Sequence, residues 1–365
     1  MAKIGRDLLE RLSKEGVQGP FVTVMMNTNV SPQGVEKDQI KIKNFMKEAQ
    51  RRFDKRYPDQ DWGPFQEKFD NLLNDKTFFR DATTSVAIIL TAEETNIHRL
   101  SIRVDEQYYV GDTPYLLAII KNAQFNYRYY LMALNRSSMS LYFMNNKKLS
   151  EVELPEDAPT DLEKALGSEI TGGSTDFRAG LGYHSGNPKD EEVEIDWNNY
   201  YQAIDDFLRN GLENEEKVPL YLFALSENQT AFKKNAKYNY YDPEIAITRS
   251  PAQLSVQEME KAAEETITDE LSKREVESYQ KLINRKSVDQ IADIKQAAEL
   301  GRVDQFFIAT SNLQENFGED PEAEYDWRQV LNTTARDVLR NSGDVFVLDQ
   351  EDAPGNKSLY ATLRY

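Results

Sequence analysis

The sequence predicts an α/β protein built from three regions. In each region, short apolar runs of strand length alternate with longer segments whose apolar residues recur every three or four positions, as on one face of a helix. The chain has 365 residues, enough for two or three domains. Its hydrophobic content of 39% and charged content of 29% are typical of a globular protein. We place the domains at residues 1–124, 125–252 and 253–365.

In the first region, the apolar pattern predicts the order α-β-α-α-β-β-α. A fully apolar run at residues 21–26 is typical of a buried strand, and residues 34–56 have an apolar stripe at helical spacing. The complete set is helices near residues 4–12, 34–56, 65–73 and 112–120, and strands at residues 21–26, 86–90 and 100–104.

The second region begins as a β-meander and continues as a mixed sheet. Its predicted elements are strands at residues 129–134, 139–143, 147–153 and 220–225, and helices from residue 160 and over residues 197–212. The first of these helices opens with a capping box, Thr160-Asp-Leu-Glu163. Between the helices, residues 167–190 contain six glycines and Pro188. Connections of this length are often functional, so we expect a functional loop, and an ordinary flexible loop is the alternative.

The third region alternates helices with strands, which predicts a compact α/β/α sandwich. A capping box at Ser255-Val-Gln-Glu258 opens a helical pattern that continues to about residue 285, and the next helix ends at Gly301. We predict a helix over residues 325–341 and strands at residues 303–309, 344–348 and 359–363.

The composition excludes several kinds of site. The sequence has no cysteine and only two histidines, which excludes disulfides, thiolate metal sites and multi-histidine metal centres. We expect no metal and no organic cofactor. The net charge of −18 argues against non-specific coating of nucleic acid. No apolar run approaches the roughly 18 residues of a spanning helix, and the N-terminus lacks an apolar export segment, so we expect a cytoplasmic protein with no membrane partner.

Short motifs in the first and third regions resemble a known family. They are Val22-Thr-Val-Met25, residues 71–79, Ser85-Val-Ala-Ile-Ile-Leu90, Gly301-Arg-Val-Asp-Gln-Phe-Phe-Ile308, Gly343-Asp-Val-Phe-Val-Leu348 and Leu363-Arg-Tyr365. With their flanking helices they resemble the bacterial proteins of archaeo-eukaryotic release-factor type. Those proteins are similar to the eukaryotic class-1 peptide-release factor and to its ribosome-rescue paralogue Pelota. The resemblance spans essentially the whole chain.

The resemblance implies three domains. They are a variable α/β N-terminal domain, a ribonuclease-H-like middle domain and a C-terminal α/β/α sandwich of the kink-turn-binding ribosomal-protein type. It implies the ribosome and tRNA as partners, and a last domain that recruits a partner protein, which is unknown here. The acidic residues 315–326 fit a protein-binding surface better than an RNA-binding one, although they could serve solubility alone.

In the catalytic members of that family, the middle domain presents a Gly-Gly-Gln loop to the peptidyl-transferase centre. The corresponding residues here are Gly172, Gly173 and Ser174, and Phe177 with Arg178 resembles the aromatic-basic pair that follows. Two glycines let the backbone approach the peptidyl-tRNA ester, and a backbone N–H stabilises the charge that develops on the carbonyl oxygen. Ser174 replaces Gln and would hold a water less well, so the sequence leaves hydrolysis open.

Three functions therefore stay open. The first is a release-factor-like protein that hydrolyses peptidyl-tRNA in termination or rescue. The second is a ribosome- or RNA-binding module without hydrolysis, which the missing Gln supports. The third is an interaction protein that never meets the ribosome, which the charge of −18 supports. The first strand of the middle region has no Asp or Glu, which argues against a metal-dependent nuclease. His184 could be a general base, but an exposed loop histidine is the alternative.

Two basic clusters interrupt the acidic background. Between residues 41 and 56, one predicted helix carries the cations Lys41, Lys43, Lys47, Arg51, Arg52, Lys55 and Arg56. These residues, with Arg178, are candidates for contact with ribosomal RNA or tRNA phosphates, and a solvated helix face is the alternative. The second cluster, residues 232–241, mixes lysines with aromatic residues. It could stack bases, but we favour packing within its own domain.

Overall fold

The chain forms two compact units, one from residues 1–125 with 274–365 and the other from residues 126–273. This computed structural model describes residues 19–29, 32–80, 83–124, 126–145, 147–167, 188–313 and 319–365. The chain leaves the second unit within a helix, later than the predicted boundary after residue 252, because Met259 and Ile267 pack into the core of that unit. The division into three domains stays a prediction.

The described residues form thirteen strands and eleven α-helices, numbered here in chain order. The strands are β1 (Phe21–Asn27), β2 (Ser85–Leu90), β3 (Thr95–Leu100), β4 (Gln107–Gly111), β5 (Tyr129–Leu134), β6 (Met139–Asn145), β7 (Lys148–Glu151), β8 (Leu220–Ala224), β9 (Tyr241–Thr248), β10 (Ser287–Val288), β11 (Val303–Ala309), β12 (Asp344–Leu348) and β13 (Leu359–Leu363).

The helices are α1 (Pro32–Arg56), α2 (Gly63–Asn74), α3 (Lys76–Arg80), α4 (Leu117–Ala123), α5 (Leu162–Leu166), α6 (Pro188–Asn210), α7 (Ser226–Asn235), α8 (Val256–Ala263), α9 (Asp269–Gln280), α10 (Ile291–Glu299) and α11 (Pro321–Arg340). A π-helical turn, Glu264–Thr268, joins α8 to α9 within the helical pattern that the sequence predicts. Among the described residues, no helix has both the length and the hydropathy that crossing a bilayer requires.

The N-terminal part of the first unit is an antiparallel sheet with the strand order β3-β2-β1-β4. The predicted strands at residues 21–26 and 86–90 are confirmed as β1 and β2, which are buried almost throughout. The strand predicted at residues 100–104 is wrong, since β3 ends at Leu100 and the following residues connect it to β4, and His98 lies in β3 rather than in a turn. β3 is an edge strand with alternating exposure, so it has no continuous apolar run.

Helices α1 and α2 cover one face of this sheet through an aromatic cluster. The Phe53 ring lies 5.2 Å from that of Trp62 and 5.1 Å from that of Phe65. The opposite face of the sheet shares a hydrophobic core with α4, α10, α11 and the C-terminal sheet. The first unit is therefore a single folded body made from the two ends of the chain.

The C-terminal sheet of the first unit has the order β10-β13-β11-β12. β11 and β12 are parallel, and β13 runs antiparallel to β11. The three strands predicted in this region are confirmed at the same residues. Helix α11 begins at Pro321 rather than at residue 325, because the Asp320 side chain caps it by accepting a hydrogen bond from the Ala323 N–H at 3.1 Å.

Helix α11 packs on the N-terminal sheet through buried polar side chains. The Tyr325 hydroxyl accepts from the N–H of Val110 at 3.0 Å and donates to its carbonyl at 2.5 Å, so it satisfies the free edge of β4. The Arg328 guanidinium, 1% exposed, donates to Glu324 at 2.6 Å and to Gln107 at 3.0 Å. These bonds fix the position of α11 on the sheet.

Further polar contacts join the two ends of the chain in the same unit. The buried Asn332 side chain accepts from the Leu116 N–H at 2.7 Å and donates to the Pro114 carbonyl at 2.8 Å. Conversely, a side chain from the N-terminal part bonds to the C-terminal sheet. The Gln124 side chain accepts a hydrogen bond of 2.5 Å from the N–H of Val347, which lies on β12. In each sheet, one edge strand, β4 or β12, is therefore hydrogen-bonded to a side chain from the other end of the chain.

The second unit contains a five-stranded mixed sheet with the order β7-β6-β5-β8-β9. β5, β8 and β9 are parallel, while β6 is antiparallel to both β5 and β7. Helices α6 and α7 cover one face, and α8 with the π-helical turn covers the other. The predicted meander and the strand at residues 220–225 are confirmed, whereas β9, an edge strand with a charged first half, is an element that sequence periodicity missed.

Candidate functional site

The residues that we predict to be catalytic lie outside the described residues. This holds for Gly172, Gly173 and Ser174, and also for Arg178 and His184. The described elements on either side are α5 before them and α6 after them. The helices α5 and α6 therefore define the two points at which the chain enters and leaves the predicted loop.

Helix α5 is fixed to the turn between β5 and β6. Its N-cap is Asp161 rather than Thr160, since the Asp161 side chain accepts a hydrogen bond from the Lys164 N–H at 2.8 Å. The Leu162 N–H donates to the carbonyl of Ser137 in that turn at 3.0 Å. The chain that leads into the predicted loop thus starts from an anchored helix.

Two tyrosines tie helix α6 to this turn and to the segment that precedes α5. The Tyr201 hydroxyl donates to the Asn135 carbonyl at 3.1 Å, and the Tyr200 hydroxyl donates to the Pro159 carbonyl at the same distance. Burial raises the pKa of both tyrosines, so both hydroxyls remain protonated donors at neutral pH.

The turn at residues 135–138 therefore holds both flanks of the predicted loop. Its Arg136 guanidinium also lies over the Trp197 ring of α6, 4.2 Å from the ring centroid. The flanks are linked to one turn by backbone and side-chain hydrogen bonds, which is the kind of rigid support that a positioned catalytic loop requires.

The second unit also buries carboxylates on α6. Asp205 is 2% exposed and accepts hydrogen bonds from the N–H groups of Lys237 and Tyr238 at 2.8 and 2.9 Å, and it pairs with Arg209 at 2.9 Å. These contacts give Asp205 a structural role in joining α6 to the segment before β9. Across the described part of the chain, no group of three acidic or histidine side chains could hold a metal ion.

Two cations of α1 that we predict to bind RNA are engaged in pairs within the first unit. Lys41 lies 2.5 Å from Glu106. Arg52 makes two hydrogen bonds to Glu322, at 2.8 and 3.3 Å, and lies over the Tyr325 ring, 3.7 Å from its centroid. Each partner belongs to another element, so these pairs join α1 to its neighbours.

Arg56 is engaged in the same way. Its guanidinium donates to Asp112 at 3.0 Å, and the Tyr57 hydroxyl donates to the other oxygen of that carboxylate at 2.6 Å. Partial burial opposes ionisation of Asp112, but these hydrogen bonds outweigh it and lower the pKa of the carboxyl. Asp112 therefore stays charged and keeps its hold on Arg56.

The other four cations of α1 in the predicted RNA-binding set face the solvent. Lys43, Lys47, Arg51 and Lys55 are exposed. Arg51 pairs with Glu48 one turn away at 2.7 Å, and within the described residues the three lysines pair with no acid. RNA contact by the cations of α1 and by Arg178 stays a prediction.

The acidic residues expected to bind a partner protein are only partly free. Residues 315–318 lie outside the described part of the chain. The acidic residues that the structure describes are Glu319, Asp320, Glu322, Glu324 and Asp326. Asp320 caps α11, Glu322 pairs with Arg52, and Glu324 pairs with buried Arg328. Much of this acidic segment is thus the first turns of a packed helix.

A polar cleft of about 340 Å³ lies at the end of β1 in the first unit, and the sequence did not predict it. Lys41 and Glu106 line it, together with Asn27, whose side chain donates to the Val104 carbonyl at 2.8 Å and accepts from its N–H at 3.0 Å. These groups bond to one another, so the polar contacts along the cleft connect β1, α1 and the segment before β4.

In the basic-aromatic cluster at residues 232–241, two aromatic rings are buried and the lysines are exposed. Phe232 and Tyr238 are buried, and Tyr238 accepts a hydrogen bond from Asn214 at 2.8 Å. Lys233, Lys234 and Lys237 are exposed. The favoured interpretation, aromatic packing within the domain, is confirmed for the two buried rings.

Residues 127–269 match the model of bacterial archaeo-eukaryotic release factor family 6. The archaeal translation termination factor aRF1 is similar at 12% identity over 99% of each chain, with a TM-score of 0.24. The Archaeoglobus fulgidus Pelota is similar at 12% identity over 77% of this chain and 79% of its own, with a TM-score of 0.35.

The S. cerevisiae protein Dom34, described as a translation termination-like factor, is similar at 9% identity over 77% of this chain and 74% of its own, with a TM-score of 0.35. A comparison with curated proteins finds no match. The family match contains the anchored helices α5 and α6 and the positions of Gly172, Gly173 and Ser174. The predicted resemblance is thus confirmed, and through residues 127–269 this chain is similar to the bacterial archaeo-eukaryotic release factors.

Proposed function

We propose that this protein acts on the ribosome, in termination or rescue, as a release factor that hydrolyses peptidyl-tRNA. The observation that carries the proposal is the match of residues 127–269 to a release-factor family, because it includes the Gly-Gly segment. The shared anchoring of α5 and α6 to residues 135–138 supports it, since a loop that enters a ribosomal active site needs a fixed base.

The proposal includes the domain types that the resemblance implies. The order β7-β6-β5-β8-β9, with β6 antiparallel to its neighbours and β5, β8 and β9 parallel, supports a ribonuclease-H-like middle domain. The four-stranded mixed sheet with α10 and α11 supports a C-terminal sandwich of the kink-turn-binding type. The N-terminal sheet would then be the variable domain.

The proposed chemistry is ester hydrolysis. Water attacks the carbonyl carbon of the peptidyl ester, the bond to the tRNA ribose oxygen breaks, and the peptide leaves as a carboxylic acid while the ribose regains its hydroxyl. Gly172 and Gly173 allow the backbone to approach the ester, and the Ser174 N–H stabilises the oxyanion. No metal or organic cofactor enters this scheme. The setting would be the cytoplasm, with a partner protein at the C-terminal domain.

The test is peptide release from ribosomal complexes that carry labelled peptidyl-tRNA. We expect release by the wild type and a loss of about 100-fold in the Gly172→Ala/Gly173→Ala variant, as for removal of an oxyanion-stabilising contact. The matched control is Gly180→Ala/Gly182→Ala, which changes two glycines of the same stretch outside the motif and should retain release.

The alternative is a ribosome-binding factor without hydrolysis, and Ser174 in place of Gln favours it. Peptide release separates these two cases, and cosedimentation with ribosomes separates both of them from a protein that never meets the ribosome. Binding without release by the wild type would leave the alternative, and restoration of release by Ser174→Gln would identify the missing side chain as the cause. Absence of binding would overturn both.

A further inference from the structure

We infer that an RNA phosphate backbone docks along one stripe of α1, formed by Lys43, Lys47, Arg51 and Lys55, and that Lys41, Arg52 and Arg56 of the same helix are structural. This inference rests on the proposed ribosomal function and names the residues that would contact RNA. The seven cations predicted to bind RNA look equivalent in the sequence. Among the residues that the structure describes, three of them pair with acids outside α1 and four do not.

The four residues of this stripe follow one another at intervals of four positions. At 1.5 Å per residue they are spaced about 6 Å apart and extend over about 18 Å of one helix face. All four are exposed. The opposite face of α1 carries Ile42 and Phe53, which are fully buried in the core, so the stripe points away from the unit.

Three cations of α1 outside the stripe already have tertiary partners. Lys41 is held by Glu106, Arg52 by Glu322 and Arg56 by Asp112. An RNA phosphate could reach these cations only by displacing a carboxylate that ties α1 to another element. The stripe needs no such displacement, because its single ion pair, Arg51 with Glu48, is exposed and lies within one helix.

The spacing of the stripe is unfavourable for the isolated helix. Lys43 with Lys47, Lys47 with Arg51, and Arg51 with Lys55 are like-charge pairs at i and i+4, and such pairs destabilise a helix. Glu48 and Asp54 on the same helix offset this only in part. A local arrangement that costs stability without a structural gain is typical of a functional surface.

The chemistry of the stripe favours RNA over a protein partner. A protein interface is usually centred on buried aromatic or aliphatic anchors. Among the large apolar side chains, Ile40 is the one exposed on α1, and it lies at one end of the stripe. Evenly spaced long cations instead match a polyanion. In a chain of net charge −18, a local positive row is also what lets RNA approach.

The experiment measures binding to ribosomes and to protein-free ribosomal RNA across a range of salt concentrations. The variant is Lys43→Gln/Lys47→Gln/Arg51→Gln/Lys55→Gln. The matched control, Lys233→Gln/Lys234→Gln/Lys237→Gln/Arg249→Gln, removes the same charge from four exposed cations of the second unit. A third variant, Lys43→Arg/Lys47→Arg/Lys55→Arg, keeps the charge. Circular dichroism melting checks that each variant folds.

We expect the stripe variant to lose about tenfold or more in affinity for both probes, and the slope of log affinity against log salt to fall by about 3, since each lost phosphate contact removes about 0.7. The control and the arginine variant should bind as the wild type does. Equal loss in stripe variant and control, unchanged binding of the stripe variant, or absence of wild-type binding to both probes would overturn the inference. Peptide release by the wild type, measured separately, tests the proposed function independently of this stripe.

Discussion

The two units attach a long helix to a sheet in different ways. In the first unit, α11 reaches the N-terminal sheet through Tyr325, Arg328 and Asn332, whose polar atoms bond to the sheet and to its flanking backbone. In the second unit, α6 packs on its sheet mainly through buried rings and aliphatic side chains, such as Tyr200 and Ile204. We call these the α11 interface and the α6 interface.

The difference concerns specificity. Apolar packing contributes free energy roughly in proportion to the buried area and tolerates small shifts. A buried polar contact contributes little net free energy, but its loss leaves an unsatisfied group and is costly. The α11 interface joins segments more than 200 positions apart in the chain, so it needs contacts that admit one arrangement.

The strongest test of the α11 interface is Arg328→Met. This change removes the guanidinium that donates to buried Glu324 and Gln107, and we expect a loss of about 3–5 kcal/mol in the free energy of unfolding of the first unit. Hydrogen exchange by mass spectrometry should show faster exchange in β4 and β11 while β5 and β8 keep their protection. In the double variant Arg328→Met/Glu324→Leu, part of the loss should return. A loss below about 1 kcal/mol would contradict the role given to this contact.

The corresponding test of the α6 interface is Ile204→Ala, which creates a cavity in a fully buried position. We expect a loss of about 3 kcal/mol, confined to the second unit. The same exchange measurement should now show faster exchange in β5 and β8 and unchanged β4 and β11. The exposed Ile195→Ala on the same helix is the control and should change neither unit. Equal destabilisation of both units would remove the distinction between the interfaces.

Alkaline pH should lower the free energy of unfolding of the first unit through Tyr115, which is buried in the hydrophobic core that also contains the inner face of α11. Burial raises the pKa of Tyr115 to about 12, against about 10 in an unfolded chain. Between these values the folded state holds more protons than the unfolded state, so stability falls as the pH rises from about 10 to 12, by up to about 2 kcal/mol for this residue. Urea unfolding followed by near-UV circular dichroism should show that the free energy of unfolding falls less steeply with pH in Tyr115→Phe than in the wild type. An identical slope would mean that Tyr115 does not titrate in this range.

The smallest effect is expected at the rim of the α11 interface. Arg52→Gln removes a contact with Glu322, whose side chain is 71% exposed, and the contact with the Tyr325 ring. We expect a loss below about 1 kcal/mol, because exposed ion pairs and cation–π contacts contribute little. A loss as large as that of Arg328→Met would show that the rim, and not the buried network, holds α11 in place.

Periodicity predicted much of the secondary structure. Strands β11, β12 and β13 were predicted at their observed residues, because each combines a nearly continuous apolar run with flanking turn residues or a helix end. β3 and β9 were missed, since an edge strand that is half exposed lacks that run. The π-helical turn at Glu264–Thr268 was also missed, because its apolar spacing matches that of an α-helix.

The candidate site was predictable in part. The glycine-rich stretch predicts a loop, and the family match includes this stretch. The anchoring of α5 and α6 to residues 135–138 was not predictable, because the tyrosine hydroxyls of α6 bond to backbone carbonyls, which have no sequence signature. The same holds for the cations of α1, whose partners come from distant segments.

The sequence by itself determined where most strands and helices form, the position of the glycine-rich stretch and the row of cations on one helix. These are local properties, read from residues within one or two turns of each other. The tertiary structure alone decided that the two ends of the chain form one unit, that Lys41, Arg52 and Arg56 are structural, and that Lys43, Lys47, Arg51 and Lys55 are left on the surface. The physical reason is that ion pairs and buried hydrogen bonds depend on which distant groups the fold brings within about 3 Å, and no local pattern encodes that.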